Sequence, residues 1–244
     1  MRVDREKCIG CGKCFAYCPI GRVFSFTSDG RKIYTVTNED ECVECGVCLR
    51  AKVCPTEALY MPELSWPRNL RNAFSDPLFI HQVTRIPGRG TEEMKTNEVT
   101  GRYRRGFFGL GVELGRPGTG ARFRDVQEVA MAVAPYAIEF EAKNPVTSLM
   151  VDKVHGVLDP QILDEKVLSA IVEFTAPIVR LGDVVQIIHE VARRVKTVFS
   201  IDLICRVEPD GSLPTTETLD QLGIAYSING KNNVGLGRPL ARED

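Results

Sequence analysis

The chain has 244 residues, of which 43% are hydrophobic and 26% are charged, and its formal net charge is −1. This composition is typical of a globular protein with enough apolar material for a sizeable core, and it excludes wholesale disorder. Because lysine and arginine are balanced by acidic residues, a protein whose main task is holding nucleic acid is also excluded.

No apolar run opens the chain. The longest uncharged apolar stretch, residues 129–138, is too short for a membrane span and contains Pro135. The sequence therefore predicts a cytoplasmic protein without a signal peptide or a membrane span.

Eight of the nine cysteines lie between residues 8 and 54, in two motifs of similar design. The first reads C-x2-C-x2-C-x3-C-P and the second C-x2-C-x2-C-x5-C-P. Three thiolates at this spacing converge from one short loop on neighbouring irons of a cuboidal cluster, and a fourth ligand comes from elsewhere. The eight residues are Cys8, Cys11, Cys14, Cys18, Cys42, Cys45, Cys48 and Cys54.

Two other interpretations of the cysteines are disulfides and structural zinc. The odd total and the absence of a signal peptide disfavour a secreted disulfide framework. Zinc uses pairs of C-x2-C thiolates, and it would leave the third cysteine of each motif without a role. The spacing favours two 4Fe-4S clusters over both.

Residues 8–55 resemble a bacterial-type ferredoxin domain that carries two 4Fe-4S clusters. The resemblance implies crossed ligation, in which each motif lends its last cysteine to the other cluster. The implied ligand sets are Cys8, Cys11, Cys14 and Cys54 for one cluster, and Cys18, Cys42, Cys45 and Cys48 for the other. Eight thiolates leave no iron open to a substrate, so the implied task is electron transfer.

One feature of the second motif departs from this family. Five residues separate Cys48 from Cys54 where three are commoner, so residues 49–53 are expected to bulge beside the cluster that Cys54 completes. Within the first domain, residues 1–60, the segments 22–27 and 32–37 around Gly30 predict a β-hairpin.

Residues 61–105 are predicted to form an irregular connector, because four prolines interrupt any periodicity. Apolar residues such as Trp66 and Phe74 predict that part of this connector packs against one or both domains. Residues 61–124 carry eleven basic against six acidic side chains, which indicates either a solvated face or a contact with an acidic or anionic partner.

Residues 106–244 are predicted to form an α/β sandwich with repeated β-α-β units, which makes the whole chain α+β. Helices are expected from residue 123 to Pro135, at 161–167 behind Asp159, from a cap at Asp183, and from Thr216. Strands are expected at residues 107–113, 137–142, 146–151, 171–175, 198–207 and 223–228.

The loop at residues 115–120 is the one candidate cofactor site of this domain. Strand, glycine loop and helix follow in the order that binds phosphates, so Arg116, Gly118 and Gly120 are candidate anion or cofactor residues. The loop matches neither the Walker motif nor the dinucleotide fingerprint, and an ordinary tight turn is the alternative. No family is recognised in residues 61–244, and no catalytic residue is assigned.

Three functions remain open at this point. The first is an iron-sulfur electron-transfer protein or subunit that passes electrons from a soluble donor to a partner redox enzyme in anaerobic metabolism. The second is a self-contained iron-sulfur reductase whose C-terminal domain binds a flavin or an anionic substrate. The third is a redox-sensing regulator. Whether the chain is itself an enzyme is left open.

Overall fold

The computed structural model describes residues 1–88 and 103–227. The first domain and the connector are built from short elements, and the bounds in chain order are β1 (Arg2–Val3), β2 (Phe24–Ser28), β3 (Ile33–Thr37), α1 (Val47–Arg50), β4 (Leu59–Tyr60) and α2 (Asn69–Ala73). β2 and β3 form the predicted hairpin. β1 pairs with β4 in antiparallel orientation, so the two ends of the domain are joined.

The C-terminal domain contains the longer elements. They are β5 (Phe107–Leu114), β6 (Ala121–Arg122), α3 (Phe123–Val133), β7 (Glu139–Phe140), β8 (Met150–Asp152), β9 (Val157–Leu158), β10 (Lys166–Val167), β11 (Ala170–Pro177), α4 (Leu181–Ala192), β12 (Phe199–Cys205) and α5 (Thr216–Gln221).

One four-stranded sheet organises this domain, with the strand order β12-β5-β11-β7. Every neighbouring pair is antiparallel. β11 and β12 therefore run in the same direction with β5 between them, and α4 connects them across it. The same holds for β5 and β7, which α3 connects across β11. The predicted β-α-β units are thus split units that interlock in one antiparallel sheet.

The core of the domain lies between this sheet and the two long helices. Alternate residues of β5 and β11 point into it, Leu110, Val112 and Phe174 among them. α3 has the predicted apolar stripe, since Phe123, Val126, Val129, Ala130 and Val133 are all fully buried. The helix ends at Val133, before Pro135. The mixed helices and sheets confirm the α+β prediction.

Several short elements differ from the prediction. Residues 146–151 are not one strand: the Asn144 side chain accepts a hydrogen bond from the Val146 backbone (2.8 Å), and a 3-10 turn at Thr147–Leu149 precedes β8. The predicted helix at 161–167 is a 3-10 turn, Pro160–Ile162, which ends so that β10 can pair with β6.

Three other predictions need smaller corrections. The strand expected at 137–142 shrinks to the two residues of β7. α4 begins at Leu181, so Asp183 lies within its first turn and pairs with Arg180 instead of capping the helix. Residues 223–227 form no strand, and the last residue of that prediction, residue 228, lies outside the described residues.

The segments predicted as the first domain, the connector and the C-terminal domain are in direct contact. Two ion pairs join the first domain to the C-terminal domain, Asp40 with Arg122 (2.7 Å) and Glu41 with Lys166 (2.6 Å). A third, Glu165 with Arg71, joins the C-terminal domain to the connector. Arg122 belongs to the basic segment of the sequence, so part of that excess meets an acidic surface of the same chain.

Candidate metal centres

The eight clustered cysteines surround two cavities in the first domain. Cys8, Cys11, Cys14 and Cys54 line the first cysteine cavity. Cys18, Cys42, Cys45 and Cys48 line the second cysteine cavity. Each motif therefore contributes three cysteines to one cavity and its last cysteine to the other, which is the arrangement that crossed ligation requires.

The pairing of β1 with β4 explains how distant cysteines come together. Leu59 lies opposite Val3, so the segment that follows Cys54 is held beside the first motif. The extra residues before Cys54 are taken up by the end of α1 and by Lys52, which has a positive φ of 50°. The expected bulge therefore consists of a helical turn and one left-handed residue.

Backbone N–H groups point at the sulfurs of the first cysteine cavity. The Thr35 N–H donates to Cys8 Sγ (3.3 Å) and the Ala58 N–H donates to Cys54 Sγ (3.2 Å). Burial acts to raise the pKa of Cys54, but the N–H groups of Ala58 and Thr56 outweigh it and the pKa is lowered. Such donors stabilise negative charge on a sulfur ligand and tune the potential of a bound cluster.

The second cysteine cavity is more deeply buried. Cys42, Cys45 and Cys48 are all buried, whereas Cys11 of the first cavity is exposed. Burial, followed by the neighbouring Cys45 and Cys42 thiolates, raises the pKa of Cys48 to about 12. Three buried thiolates and the half-buried Cys18 cannot all hold their charge without a cation, so this donor set fits a positively charged iron centre.

A fully buried carboxylate supports the loop of the second cysteine cavity. Glu44, between Cys42 and Cys45 in sequence, is 0% exposed and pairs with Arg68 at 2.5 Å. Asn72 of α2 donates to the Glu44 carbonyl (2.9 Å). The connector therefore holds the cysteine loop in place through charge and backbone contacts.

Within residues 1–88 and 103–227, no three His, Cys, Asp or Glu side chains converge as ligands of one metal ion would. The cysteines instead stand around the walls of each cavity. Cys205, the ninth cysteine, lies on β12 with its sulfur 3.3 Å from Thr215 Oγ1, and it lines neither cavity.

The predicted anion loop lies at the boundary between the domains. Arg116 is exposed, while a Cβ atom added to Gly118 would lie 3.0 Å from the Pro19 carbonyl oxygen. At Gly120, whose φ is +70°, an added Cβ would lie 2.9 Å from the Val167 carbonyl oxygen. These glycines allow the loop to pack beside Cys18 and the second cysteine cavity.

The backbone N–H groups at the start of α3 are already bonded. Phe123 and Arg124 donate to the carbonyl oxygens of Glu165 (3.1 Å) and Leu163 (3.0 Å). The Asp125 carboxylate accepts from the Arg122 backbone (3.3 Å). Binding of an anion or cofactor by Arg116, Gly118 and Gly120 stays a prediction.

The three histidines do not gather at a site. His81 is buried, packs edge-on against Phe74 and Phe79, and has a pKa lowered by burial. His155 and His189 are exposed. Sequence reasoning missed two buried charged residues, Glu44 of the cysteine loop and Arg71 of the connector. The apolar character of the connector around Arg71 was the only signal for either.

None of the helices in the described part of the chain is long and apolar enough to cross a membrane.

Comparison with known proteins finds similarity in the N-terminal segment. The family described as the 4Fe-4S dicluster domain matches residues 1–61. Ferredoxin-3 of Rhodobacter capsulatus is 32% identical over 77 residues, which cover 23% of this chain and 74% of the relative. An uncharacterized ferredoxin of Methanocaldococcus jannaschii is 44% identical over 57 residues, which cover 23% of this chain and 70% of the relative. No solved structure matches the chain.

Proposed function

From the premise that this chain belongs, through residues 1–61, to the ferredoxins with a 4Fe-4S dicluster domain, we propose that it passes electrons from a soluble donor to a partner redox enzyme in anaerobic metabolism. The observation that carries the proposal is the division of eight cysteines between two cavities, four to each. When bound, each 4Fe-4S cluster takes up and releases one electron at a time.

The ligand sets that we propose follow the two cavities. Cys8, Cys11, Cys14 and Cys54 hold one cluster, and Cys18, Cys42, Cys45 and Cys48 hold the other. Since each set draws on both motifs, the loss of Cys18 or Cys54 removes a ligand supplied by the opposite motif. The protein acts as a redox carrier or subunit, and its eight cysteines ligate the clusters without leaving an iron open to a substrate.

A surface for the external redox partner lies around Cys11. This surface, the Cys11 patch, consists of Ile9, Cys11, Phe26 and Ile33. The three apolar side chains are 62%, 52% and 58% exposed, respectively, beside the exposed cysteine. A Cβ atom added at Gly10 would meet Ile33 and one added at Gly12 would meet Phe26, so these side chains lie beside the loop that carries Cys11. Exposed apolar groups gathered at one place mark interaction sites.

Charge near the patch supports an acidic partner. Lys7 and Lys13 flank Ile9 and Cys11 in the sequence, and both are exposed. A lysine rim speeds encounters with an anionic partner and leaves the close contact to the apolar groups.

The test is anaerobic purification followed by iron, sulfide, zinc and flavin analysis, with EPR of the reduced protein. We expect about eight irons and eight sulfides per chain and the spectrum of two interacting 4Fe-4S clusters. Zinc with little iron would overturn the proposal. Stoichiometric flavin would instead favour the second candidate, a self-contained reductase.

Two matched variants test the crossed ligand sets. In a chain whose first cavity is emptied by Cys8→Ser, Cys11→Ser and Cys14→Ser, about four irons should remain. Adding Cys54→Ser should leave that iron in place, whereas adding Cys18→Ser should remove it. Cys205→Ser in the same background is the control. Loss of iron on Cys54→Ser and retention on Cys18→Ser would contradict the crossed assignment.

A further inference from the structure

A cleft with a volume of about 650 Å³ lies between three parts of the chain. The end of α1 forms one wall, the connector from residue 61 to 83 forms a second, and the segment 145–149 of the C-terminal domain forms a third. This volume falls within the roughly 300–1,000 Å³ usual for small-molecule sites. Neither the cysteine motifs nor the glycine loop predicts it.

The cleft adjoins the second cysteine cavity, and Gly46 forms part of the wall of both. Gly46 stands between Cys45 and Cys48 in sequence and has a φ of +70°. A Cβ atom there would lie 2.7 Å from Arg50 Nη1, the end of a flexible side chain, and the positive φ is one that residues with a side chain rarely adopt. A molecule in the cleft is therefore separated from the second cavity by a residue without a side chain.

The charged groups of the cleft largely neutralise each other. Arg50 pairs with Asp76 (2.8 Å) and donates to the Cys45 carbonyl (2.7 Å). This pair ties the wall of the cleft to the cysteine loop. A ligand with a strong negative charge would have to compete with Asp76 for the arginine.

The remaining lining is apolar with a few accessible amide and hydroxyl groups. Leu49, Leu64 and Phe79 are partly exposed apolar side chains, while Asn69, Gln82 and Ser148 are exposed polar ones. Asn and Gln side chains can donate to carbonyl oxygens, and the apolar walls suit a ring. Trp66 stands at the cleft with 47% of its surface exposed, and its indole N–H donates to Gln161 (3.1 Å).

We propose that this cleft binds an uncharged planar ring system with carbonyl acceptors, of the quinone or isoalloxazine kind. The ring would accept electrons from the cluster proposed for the second cysteine cavity. The proposal rests on the proposed function, because electrons reach the cleft only through bound clusters. The soluble donor supplies two electrons, one at a time, by way of the second cysteine cavity, and water supplies two protons. Together they convert one oxidised ring to its dihydro form.

Binding can be measured without electron transfer, since Trp66 is the only tryptophan of the chain. Its fluorescence is followed while the oxidised, cluster-loaded protein is titrated anaerobically with riboflavin in one arm and menadione in the other. We expect saturable quenching with one site per chain in at least one arm, and the arm that saturates identifies the ring. EPR of the same preparation reports the clusters independently.

Matched variants locate the site. Ser148→Phe places a ring inside the cleft and should weaken binding by at least about tenfold, since a filled site cannot bury the ligand. Ser212→Phe makes the same change at an exposed serine that does not line the cleft, and it should leave binding unchanged. Val83→Phe repeats the block from the connector, should Ser148→Phe fail to fold.

The outcomes separate this inference from the proposed function. Absence of saturable quenching in both arms, with both clusters present by EPR, overturns the cleft proposal and leaves the electron carrier. Equal binding in the blocking and control variants also overturns it. Absence of the clusters overturns the proposed function itself, and with it the route of the electrons to the cleft.

Discussion

Replacing Arg71 by methionine should remove contacts that hold the connector, the second cysteine cavity and the C-terminal domain together, and so destabilise the protein. The Arg71 side chain is 5% exposed, and its Nε pairs with Glu165, which is 14% exposed. Its Nη1 lies 3.0, 2.8 and 3.0 Å from the carbonyl oxygens of Glu39, Asp40 and Cys42. One buried guanidinium thus joins three parts of the chain.

The expected loss follows from those contacts. Nη1 has two hydrogens, so it makes at most two full hydrogen bonds, and at about 1.5–3 kcal/mol for each charged bond these contribute about 3–6 kcal/mol. Breaking a buried ion pair by removing one partner costs about 3–5 kcal/mol, which includes the penalty of the stranded carboxylate. These contributions overlap, so we expect Arg71→Met to lower the free energy of unfolding by about 3–5 kcal/mol.

The assay is anaerobic urea unfolding, followed by circular dichroism, with the slope m compared between proteins. Arg124→Met is the matched control, because Arg124 also pairs with a carboxylate, Asp164, but the two are 56% and 76% exposed. An exposed pair of this kind contributes at most about 1 kcal/mol. A loss below about 1 kcal/mol for Arg71→Met, or one equal to that of the control, would refute the reasoning.

Three further predictions concern the domain boundary, pH and the Cys11 patch. Gly120→Ala should destabilise the protein by about 1–3 kcal/mol more than Gly211→Ala, because both glycines have positive φ but only Gly120 is crowded; equal losses in urea unfolding would show that crowding does not matter. Burial lowers the pKa of His81 below its ordinary 6.5. The unfolded chain therefore binds more protons, and the free energy of unfolding should fall as the pH drops below about 6.5. Urea unfolding at pH 7.5 and 5.5 measures this loss, which should shrink in His81→Gln and persist in His189→Gln. Lys13→Glu should slow oxidation of the reduced protein by the anion hexacyanoferrate(III) about tenfold at low salt. The control Lys153→Glu, on the C-terminal domain, should leave the rate unchanged. A rate that Lys13→Glu does not change in stopped-flow absorbance would contradict a basic rim at the Cys11 patch.

Elements with long periodic patterns could be predicted from sequence, and short ones could not. The five apolar positions of α3 recur at helical spacing, and all five are buried. The strand predicted at 198–207 is present as β12, but none of its residues is buried. The segments at 146–151 and 161–167 carry signals only a few residues long. There, the Asn144 side chain and the pairing of β10 with β6 decide the conformation, and both are contacts of the folded chain.

The cysteines show the same limit at the candidate site. Spacing alone predicts that three thiolates of each motif gather, because they lie within seven residues of one another. The placement of Cys18 and Cys54 depends on the pairing of β1 with β4, across almost the whole first domain. Only the family resemblance predicted that exchange, since no local pattern contains it.

The glycine loop at residues 115–120 shows why a motif can predict a conformation and still leave its purpose open. A tight turn between a strand and a helix needs residues without side chains, whether a phosphate or a neighbouring domain lies opposite. Here Pro19 lies opposite Gly118, and Ile20 and Val167 lie opposite Gly120. Because Pro19 follows Cys18 directly, a side chain at position 118 would press on the segment that carries a proposed ligand of the second cysteine cavity. Gly118→Ala should then alter the EPR signal of one of the two proposed clusters and spare the other.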